Sequence, residues 1–277
     1  MTTKNQKYIL SAFTVIAFIA LALAYVSSPS GALEVHFLDI GQGDGIFIET
    51  PNGRQVLIDG GKPDSPILGR LGSHMSFYDR SIDIVVATHM DADHMGGLIS
   101  VLESFEVGSV FVGSNIADTE LSRVFWQTIK DKDIPVVLVK AGDSFELEPD
   151  INMSVVSPWG GLSATASDND SSLVMKLVYK EDSFLFTADI EKPTEYKLVF
   201  GGADISAEVL KVGHHGSNSS STKYFLSKVN PKISVIQVGE NNYGHPRKEV
   251  LGRLSKTKIL RNDLNGDISI YSYGNSI

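Results

Sequence analysis

The chain contains no cysteine among its 277 residues, and that absence sets the first limits. Disulfides, thiolate metal ligands and thiol nucleophiles are all excluded, so a transition-metal site here must use imidazole and carboxylate. Net positive charge is also lacking: the formal balance is −9, which argues against bulk attraction to nucleic acid. Phosphate-loop and dinucleotide signatures are missing too. Gly41 to Gly45 reads GQGDG after an apolar stretch but has neither the spacing nor the following helix of such a loop. No repeat array or low-complexity tract occurs. Hydrophobic content of 42% and charged content of 21% are those of a folded protein long enough for one sizeable core.

The negative balance is uneven. From Lys211 to Arg261 there are ten basic residues against Glu240 and Glu249, a local balance of +8 that leaves −17 elsewhere. Such a run is ordinarily a solvated face. It also offers counter-charge to a phosphate substrate.

Charge is absent from residues 8–26, a 19-residue apolar run preceded by Lys4 and Lys7 and followed by the breaker-rich Ser27 to Gly31. As a helix rising about 1.5 Å per residue it nearly spans a hydrocarbon core of about 30 Å. The division expected is a cytoplasmic N-terminus over 1–7, a transmembrane anchor over 8–26, a linker over 27–32 and a folded domain over 33–277. The two lysines hold the N-terminus inside, which puts a single-pass protein's folded domain outside the cell membrane. A cleaved signal segment is the alternative, with Ser30 and Ala32 as small residues before the cut, and would make the protein secreted.

The most informative stretch is Thr88 to Gly97, THMDADHMGG, directly after the β-branched run Ile82 to Ala87. The run predicts a buried strand, so His89, Asp91, Asp93 and His94 emerge together at its C-terminal edge, where open α/β sheets carry their chemistry. An N-cap at Asp93 would explain one carboxylate. It leaves two histidines and a second aspartate unexplained, whereas a metal site uses them all.

Strands are expected at Val35 to Leu38, Gly45 to Glu49 and Gln55 to Ile58, with an Asn52-Gly53 hairpin turn between the last two. Helices are expected at Leu98 to Phe105 and Ala117 to Lys130, and strands at Ser109 to Val112, Pro135 to Val139 and Met153 to Val156. The pattern then repeats in outline. A hairpin of Leu173 to Tyr179 with Ser183 to Thr187 is followed by helix Thr194 to Phe200, strand Glu208 to Val212, strand Ile233 to Val238 and helix Lys248 to Ser255. A last strand covers Asp267 to Tyr273. Two similar α/β halves predict two mixed sheets packed face to face with helices outside.

Further polar turns follow these strands. Asp189 lies in FLFTADIE, His214 and His215 in LKVGHHGS, and His245 in YGHPRKE. Asp189 alone would read as a helix cap; beside the first motif it reads as a carboxylate bridging two metals. Two adjacent histidines do not easily face one ion, so one of His214 and His215 is a ligand and the other a phosphate or leaving-group contact, in an order left open. His245 either caps the next helix or serves catalysis. His36, inside a strand, and His74, in a loop, read as structural.

Together LDIGQGD, LIDGG, THMDADHMGG, TADIE, KVGHHGS, YGHP and LNGDISI resemble the metallo-β-lactamase-fold hydrolases. More narrowly they are similar to the C-terminal hydrolase domain of the ComEC family of DNA-uptake channel proteins. The resemblance covers roughly Leu33 to Ser272 and implies a four-layer αββα sandwich of two mixed sheets. The channel and DNA-binding domain of those proteins have no counterpart in this sequence. Asp91 stands where the superfamily commonly has His, and Asn169 to Ser172 stand where another His is usual; both departures are typical of the ComEC-like branch. The resemblance implies a dinuclear centre with His89 and Asp91 on one metal and Asp93 and His94 on the other. It further implies that Asp189 bridges them, that the His214–His215 pair completes the shell, and that Asp59 orients the ligand loop from behind.

Three carboxylates make a harder site than one of five imidazoles, which shifts the preference for the two divalent ions from Zn²⁺ towards Mn²⁺, with Zn²⁺ as the alternative. The expected activity is metal-assisted hydrolysis of a phosphodiester, with DNA outside the cell as the leading substrate and Asp93, His215 and His245 as catalytic participants. Phosphocholine or phospholipid esters form a second class of substrate. A non-catalytic binding module is a third reading, against which the full His89, Asp91, Asp93, His94 and Asp189 set weighs.

Overall fold

The computed structural model describes residues 8, 9, 11–18, 31–113, 117–159 and 169–277. The chain forms two units, residues 1–30 and 31–277. In the first, residues 8, 9 and 11–18 are helical and exposed. No helix among the described residues is long and apolar enough to cross a membrane, and the remainder of the expected 8–26 span lies outside them.

The second unit holds two seven-stranded mixed sheets. Each places antiparallel strands beside parallel ones. In sheet one, β1 (Leu33–Phe37), β2 (Ile46–Glu49) and β3 (Gln55–Ile58) pair antiparallel. The tight turn between β2 and β3 places Gly53 at φ +87°, a value glycine adopts freely. β4 (Ser81–Ala87), β5 (Glu106–Val112) and β6 (Val136–Leu138) then continue parallel to β3. Sheet two repeats the plan. β7 (Ser144–Glu148), β8 (Ile151–Ser157), β9 (Val174–Tyr179) and β10 (Asp182–Phe186) are antiparallel. β11 (Val209–Lys211), β12 (Ile233–Ile236) and β13 (Lys258–Arg261) follow parallel to β10. β14 (Ile268–Ser272) returns to sheet one beside β1.

Alternation along the strands divides the apolar residues among three cores. Val35, Phe37, Ile46, Ile58 and Val86 of sheet one meet Met175, Leu177, Phe184, Phe186 and Val235 of sheet two. The Phe186 ring lies 6.2 Å from that of Phe37 and 6.3 Å from that of Phe184. Each such buried phenylalanine contributes about 1.5–3 kcal/mol. The outer face of sheet one packs under α1 (Ile67–His74), α3 (Leu98–Ser104) and α4 (Glu120–Asp131), with Leu71, Leu98, Val101 and Phe125 as contacts. The outer face of sheet two packs under α5 (Lys192–Phe200), α6 (Lys223–Val229) and α7 (Lys248–Arg253) through Leu198, Phe225 and Val250. These are the four layers expected. Short α2 (Ala92–Met95) and α8 (Asn262–Asn265) complete the helices described.

Several elements differ from the expectation. α1, α6, β7 and β13 were not foreseen, and His74 closes α1 rather than sitting in a loop. Gly69 and Gly72 disguise α1 as a flexible stretch, although both face open space and leave the helix intact. His36 and His74 do take structural places, stacked at 4.1 Å, with His36 bonded to Ser269 and His74 to Asp267.

Candidate metal centre

The parallel strands of both sheets deliver their C-terminal ends to one edge. β3 ends at Ile58 and leads to Asp59; β4 leads to Thr88 and the ligand stretch; β10 leads to Asp189, β11 to His214 and β12 to Gln237. The β1–β2 turn, carrying Gln42 and Asp44, folds over the same edge. It comes close because residue 43 is glycine: at φ +130° a Cβ there would lie 2.0 Å from the Asp93 carbonyl oxygen. Asp44 N–H donates to that carbonyl at 3.3 Å, and Gly60 N–H donates to the His94 carbonyl at 2.7 Å.

Asp59 is fully buried and lies behind the ligand stretch. Its Oδ1 accepts Thr88 N–H at 2.9 Å, while its Oδ2 accepts Thr88 Oγ1–H at 2.6 Å and is 2.9 Å from His94 Nδ1. The single hydroxyl proton of Thr88 is committed to Asp59, so His89 Nδ1, 3.0 Å away, must be the donor to Thr88 Oγ1. His215 Nδ1 faces the Gln237 carbonyl at 2.9 Å, again as donor. In all three rings the proton therefore resides on Nδ1, which turns the Nε2 lone pair inward. The three Nε2 atoms and Asp189 Oδ1 are buried without a hydrogen-bond partner among the described residues.

The orphaned atoms converge. Asp189 Oδ1 lies 3.3 Å from His94 Nε2, and Asp189 Oδ2 lies 3.2 Å from His215 Nε2. His215 Nε2 is 3.6 Å from Asp93 Oδ2, and His89 Nε2 is 3.5 Å from Asp91 Oδ2. Asp93, His94 and His215 each bring a ligand atom within 4.8 Å of the others, as do Asp59, His89 and His94, and Asp44, Asp189 and His215. Burying lone pairs against carboxylates is costly unless a cation or proton lies between them, so this donor set fits divalent metal. Burial opposes charge on His94 and His215, but Asp189 reverses it and holds both imidazoles well above their ordinary value. Asp93 is held low: burial raises it, and the His215 hydrogen bond with the nearby imidazoles outweighs burial.

The adjacent histidines take different stations because both adopt left-handed backbone, at φ 47° and 49°. Their ring planes differ by 74°. His215 is the buried one and joins Asp93, His94 and Asp189. His214 is half-buried, with Nδ1 3.0 Å from Glu191 Oε1 and Nε2 3.8 Å from Asp189 Oδ2. Asp189 caps no helix, since α5 starts from Glu191, and α7 starts from Arg247, so neither Asp189 nor His245 is an N-cap. His245 instead lines a cavity of about 200 Å³ with Gln42, Asp91, Asp93, Asp189, His214, His215 and Tyr243. Burial, then the neighbouring His214 and His215, lower its imidazole to about 4. Asn169 to Ser171 form a short turn, and Leu173 N–H donates to the Thr88 carbonyl at 3.0 Å, which places this segment against the ligand stretch.

Sequence reasoning missed Asp44 and Lys211. Lys211 was counted in a solvated basic run, yet it is fully buried. Its ammonium pairs with Asp44, lies 3.5 Å from Asp189 Oδ1 and donates to the Ala188 carbonyl at 2.8 Å. Burial lowers its value, but Asp44 and then Asp189 outweigh burial and hold it above that of an ordinary lysine. The available signal was a lysine inside the apolar run Val209 to Val212, where a charge persists only with a partner.

The comparisons with known proteins agree with this geometry. The chain is 32% identical over 269 residues to "ComE operon protein 3" of Bacillus subtilis (strain 168), covering 88% of this chain and 33% of that protein. It is 30% identical over 247 residues to "Competence protein ComA" of Neisseria gonorrhoeae, covering 86% of this chain and 32% of that protein. The chain thus spans about a third of the length of these relatives, in line with the resemblance to the ComEC hydrolase domain. Among solved structures, the metallo-beta-lactamase fold protein YhfI of Bacillus subtilis superposes with a TM-score of 0.57 at 10% identity, over 87% of this chain and 99% of that one. The short form of human tRNase Z does so at 0.51 and 14% identity, over 86% and 98%. The family model for the metallo-beta-lactamase superfamily, whose members are generally metal-dependent hydrolases, matches residues 38–240, and the chain belongs to that superfamily.

Proposed function

We propose that the protein is a membrane-tethered or exported phosphodiesterase, with DNA as its substrate and two divalent cations as cofactors. The observation that carries this reading is the set of inward Nε2 lone pairs on His89, His94 and His215, facing Asp91, Asp93 and Asp189. Asp93, His94, Asp189 and His215 would hold one ion. His89 and Asp91 would hold the other, with Asp189 shared. When bound, such a pair supplies Lewis acidity and a nucleophilic water at neutral pH. Three carboxylates against two divalent ions leave a local charge of about +1, which attracts a phosphodiester, and their oxygen-rich character favours Mn²⁺.

The chain's own groups would do the remainder. Glu191 orients His214 toward the cavity, and Ser219 hydroxyl donates to the same Glu191 oxygen at 2.6 Å. His245 stays neutral near pH 7 and presents an imidazole to a substrate in the cavity. The relatives' names, "Competence protein ComA" and "Recombination protein 2", support a nucleic-acid substrate. The apolar run 8–26 supports the tether.

The test is hydrolysis of DNA and of bis-p-nitrophenyl phosphate by the full chain in detergent with Mn²⁺ or Zn²⁺, beside Asp189→Ala. Wild type should hydrolyse both, and the variant should lose turnover and bound metal while remaining folded. Hydrolysis of the small diester alone would move the reading to a lipid or phosphocholine ester. Unaltered rates in Asp189→Ala would refute the shared carboxylate.

A further inference from the structure

A second surface lies on the helical layer of sheet two. Tyr196 and Phe200 on α5 and Tyr224 on α6 form an exposed aromatic cluster, with ring centroids 6.0 to 6.4 Å apart. Phe200 is 74% and Tyr224 62% exposed, values that leave large apolar faces in water. Around them Lys192, Lys197, Lys223 and Lys228 are exposed, and none is in an ion pair among the described residues. The one acidic residue within these helices, Glu195, is buried and accepts the Thr222 backbone N–H at 2.7 Å. In a chain of net charge −9, a face of lysines without opposing carboxylates is a local exception.

A groove of about 610 Å³ adjoins this face between α6 and α7. Lys223, Arg253 and Lys256 line it, together with Leu226, Leu254 and small or polar residues, and with no acid. Arg253 also ties the groove to the metal centre. Its guanidinium donates to the Ser221 and Ser220 carbonyls at 2.7 and 2.9 Å and to Asn218 Oδ1 at 3.0 Å. That loop continues through Ser219 to Glu191, the residue that orients His214.

Resting on the nuclease reading, we infer that the Tyr196–Phe200–Tyr224 cluster and the Lys223–Arg253–Lys256 groove form a track for single-stranded nucleic acid on the outer helical layer of sheet two, joined to the metal centre through the loop that Arg253 holds. Exposed rings next to unpaired cations match a flexible polyanion that carries flat apolar bases, and only unstacked bases can lie on such rings. A lipid surface is the competing partner for aromatic residues with lysines. It is broad and cannot enter a groove walled by two helices, so the concave half of the surface favours a strand.

The test measures binding apart from cleavage. Full-length protein in detergent, with EDTA to prevent turnover, is titrated into fluorescein-labelled oligothymidylate and followed by anisotropy. The Tyr196→Ala/Phe200→Ala/Tyr224→Ala variant should bind at least about tenfold more weakly. Lys223→Gln/Lys256→Gln should reduce the slope of log affinity against log salt by about 1.4, at about 0.7 for each lost contact. Both variants should hydrolyse bis-p-nitrophenyl phosphate with Mn²⁺ at the wild-type rate, which separates a lost track from a damaged centre. Weakened binding in a protein that cleaves no DNA would retain the track and refute only the nuclease reading. Undiminished oligonucleotide affinity in the aromatic variant would overturn the track. The same result with lost attachment to anionic phospholipid vesicles would also overturn it and assign the rings to a membrane surface.

Discussion

Replacing Lys211 by methionine tests the electrostatic plan of the centre most directly. The side chain is fully buried, and its ammonium is the cation paired with Asp44, itself 2% exposed. Methionine fills much of the same volume, so the change removes charge rather than bulk. Breaking a buried pair by deleting one partner costs about 3–5 kcal/mol, because the other charge is stranded. Here the His94 and His215 Nδ1 atoms lie 3.8 and 3.4 Å from the Asp44 carboxylate and compensate in part, which puts the expected loss near the lower end, about 3 kcal/mol. For a domain of this size that corresponds to a melting temperature lower by about 6–12 °C. Differential scanning calorimetry in EDTA measures it without interference from metal. Removing both charges, in Lys211→Met/Asp44→Asn, should recover at least half of the loss. A single variant melting within about 2 °C of wild type, or a double variant no more stable than the single, would refute the argument.

Three other outcomes follow from the same geometry. Every partner of Asp59 is a donor, so in Asp59→Asn the new NH₂ must face either the Thr88 amide or the hydroxyl and imidazole. Mn²⁺ affinity by equilibrium dialysis should fall about 10- to 100-fold, and since asparagine tolerates the φ of +57° at this position, circular dichroism should be unchanged. His36 is held at about 4 by burial and by His74, so its folded-state value lies below the unfolded one. Its contribution is therefore complete above about pH 6.5 and is lost as pH falls toward 4, up to roughly 3 kcal/mol, and urea midpoints of His36→Gln should show a flatter pH dependence in that window. Gly43→Ala should lose at least about 2 kcal/mol in urea unfolding, because φ +130° suits glycine and the added carbon overlaps the Asp93 carbonyl; wild-type stability would show that this turn yields.

Much of the sandwich was legible because periodicity is strong where a strand is buried. Ile82 to Ala87 fixed the position of Thr88 to His94, and the hairpin of β9 and β10 delivered Asp189 as its pattern implied. Short edge elements were not legible. β7 is five residues with two glutamates and a single buried side chain, Leu147, and β13 has two basic residues in four, so neither resembles a core strand. Asp44 and Lys211 escaped for a different reason. Each is a charged residue whose meaning depends on a partner 167 positions away, and local patterning carries no trace of that pairing. The stations of His214 and His215 likewise depend on two left-handed backbone angles that their neighbours in sequence do not specify.

The antiparallel pairing of β1 with β14 sets Leu33 opposite Ser272. The polypeptide thus enters and leaves the sandwich through neighbouring ladder rungs, on a single flank. A module built this way can be grafted onto a larger protein, or looped into one, through one pair of adjoining junctions, with the other twelve strands described and the catalytic edge left undisturbed.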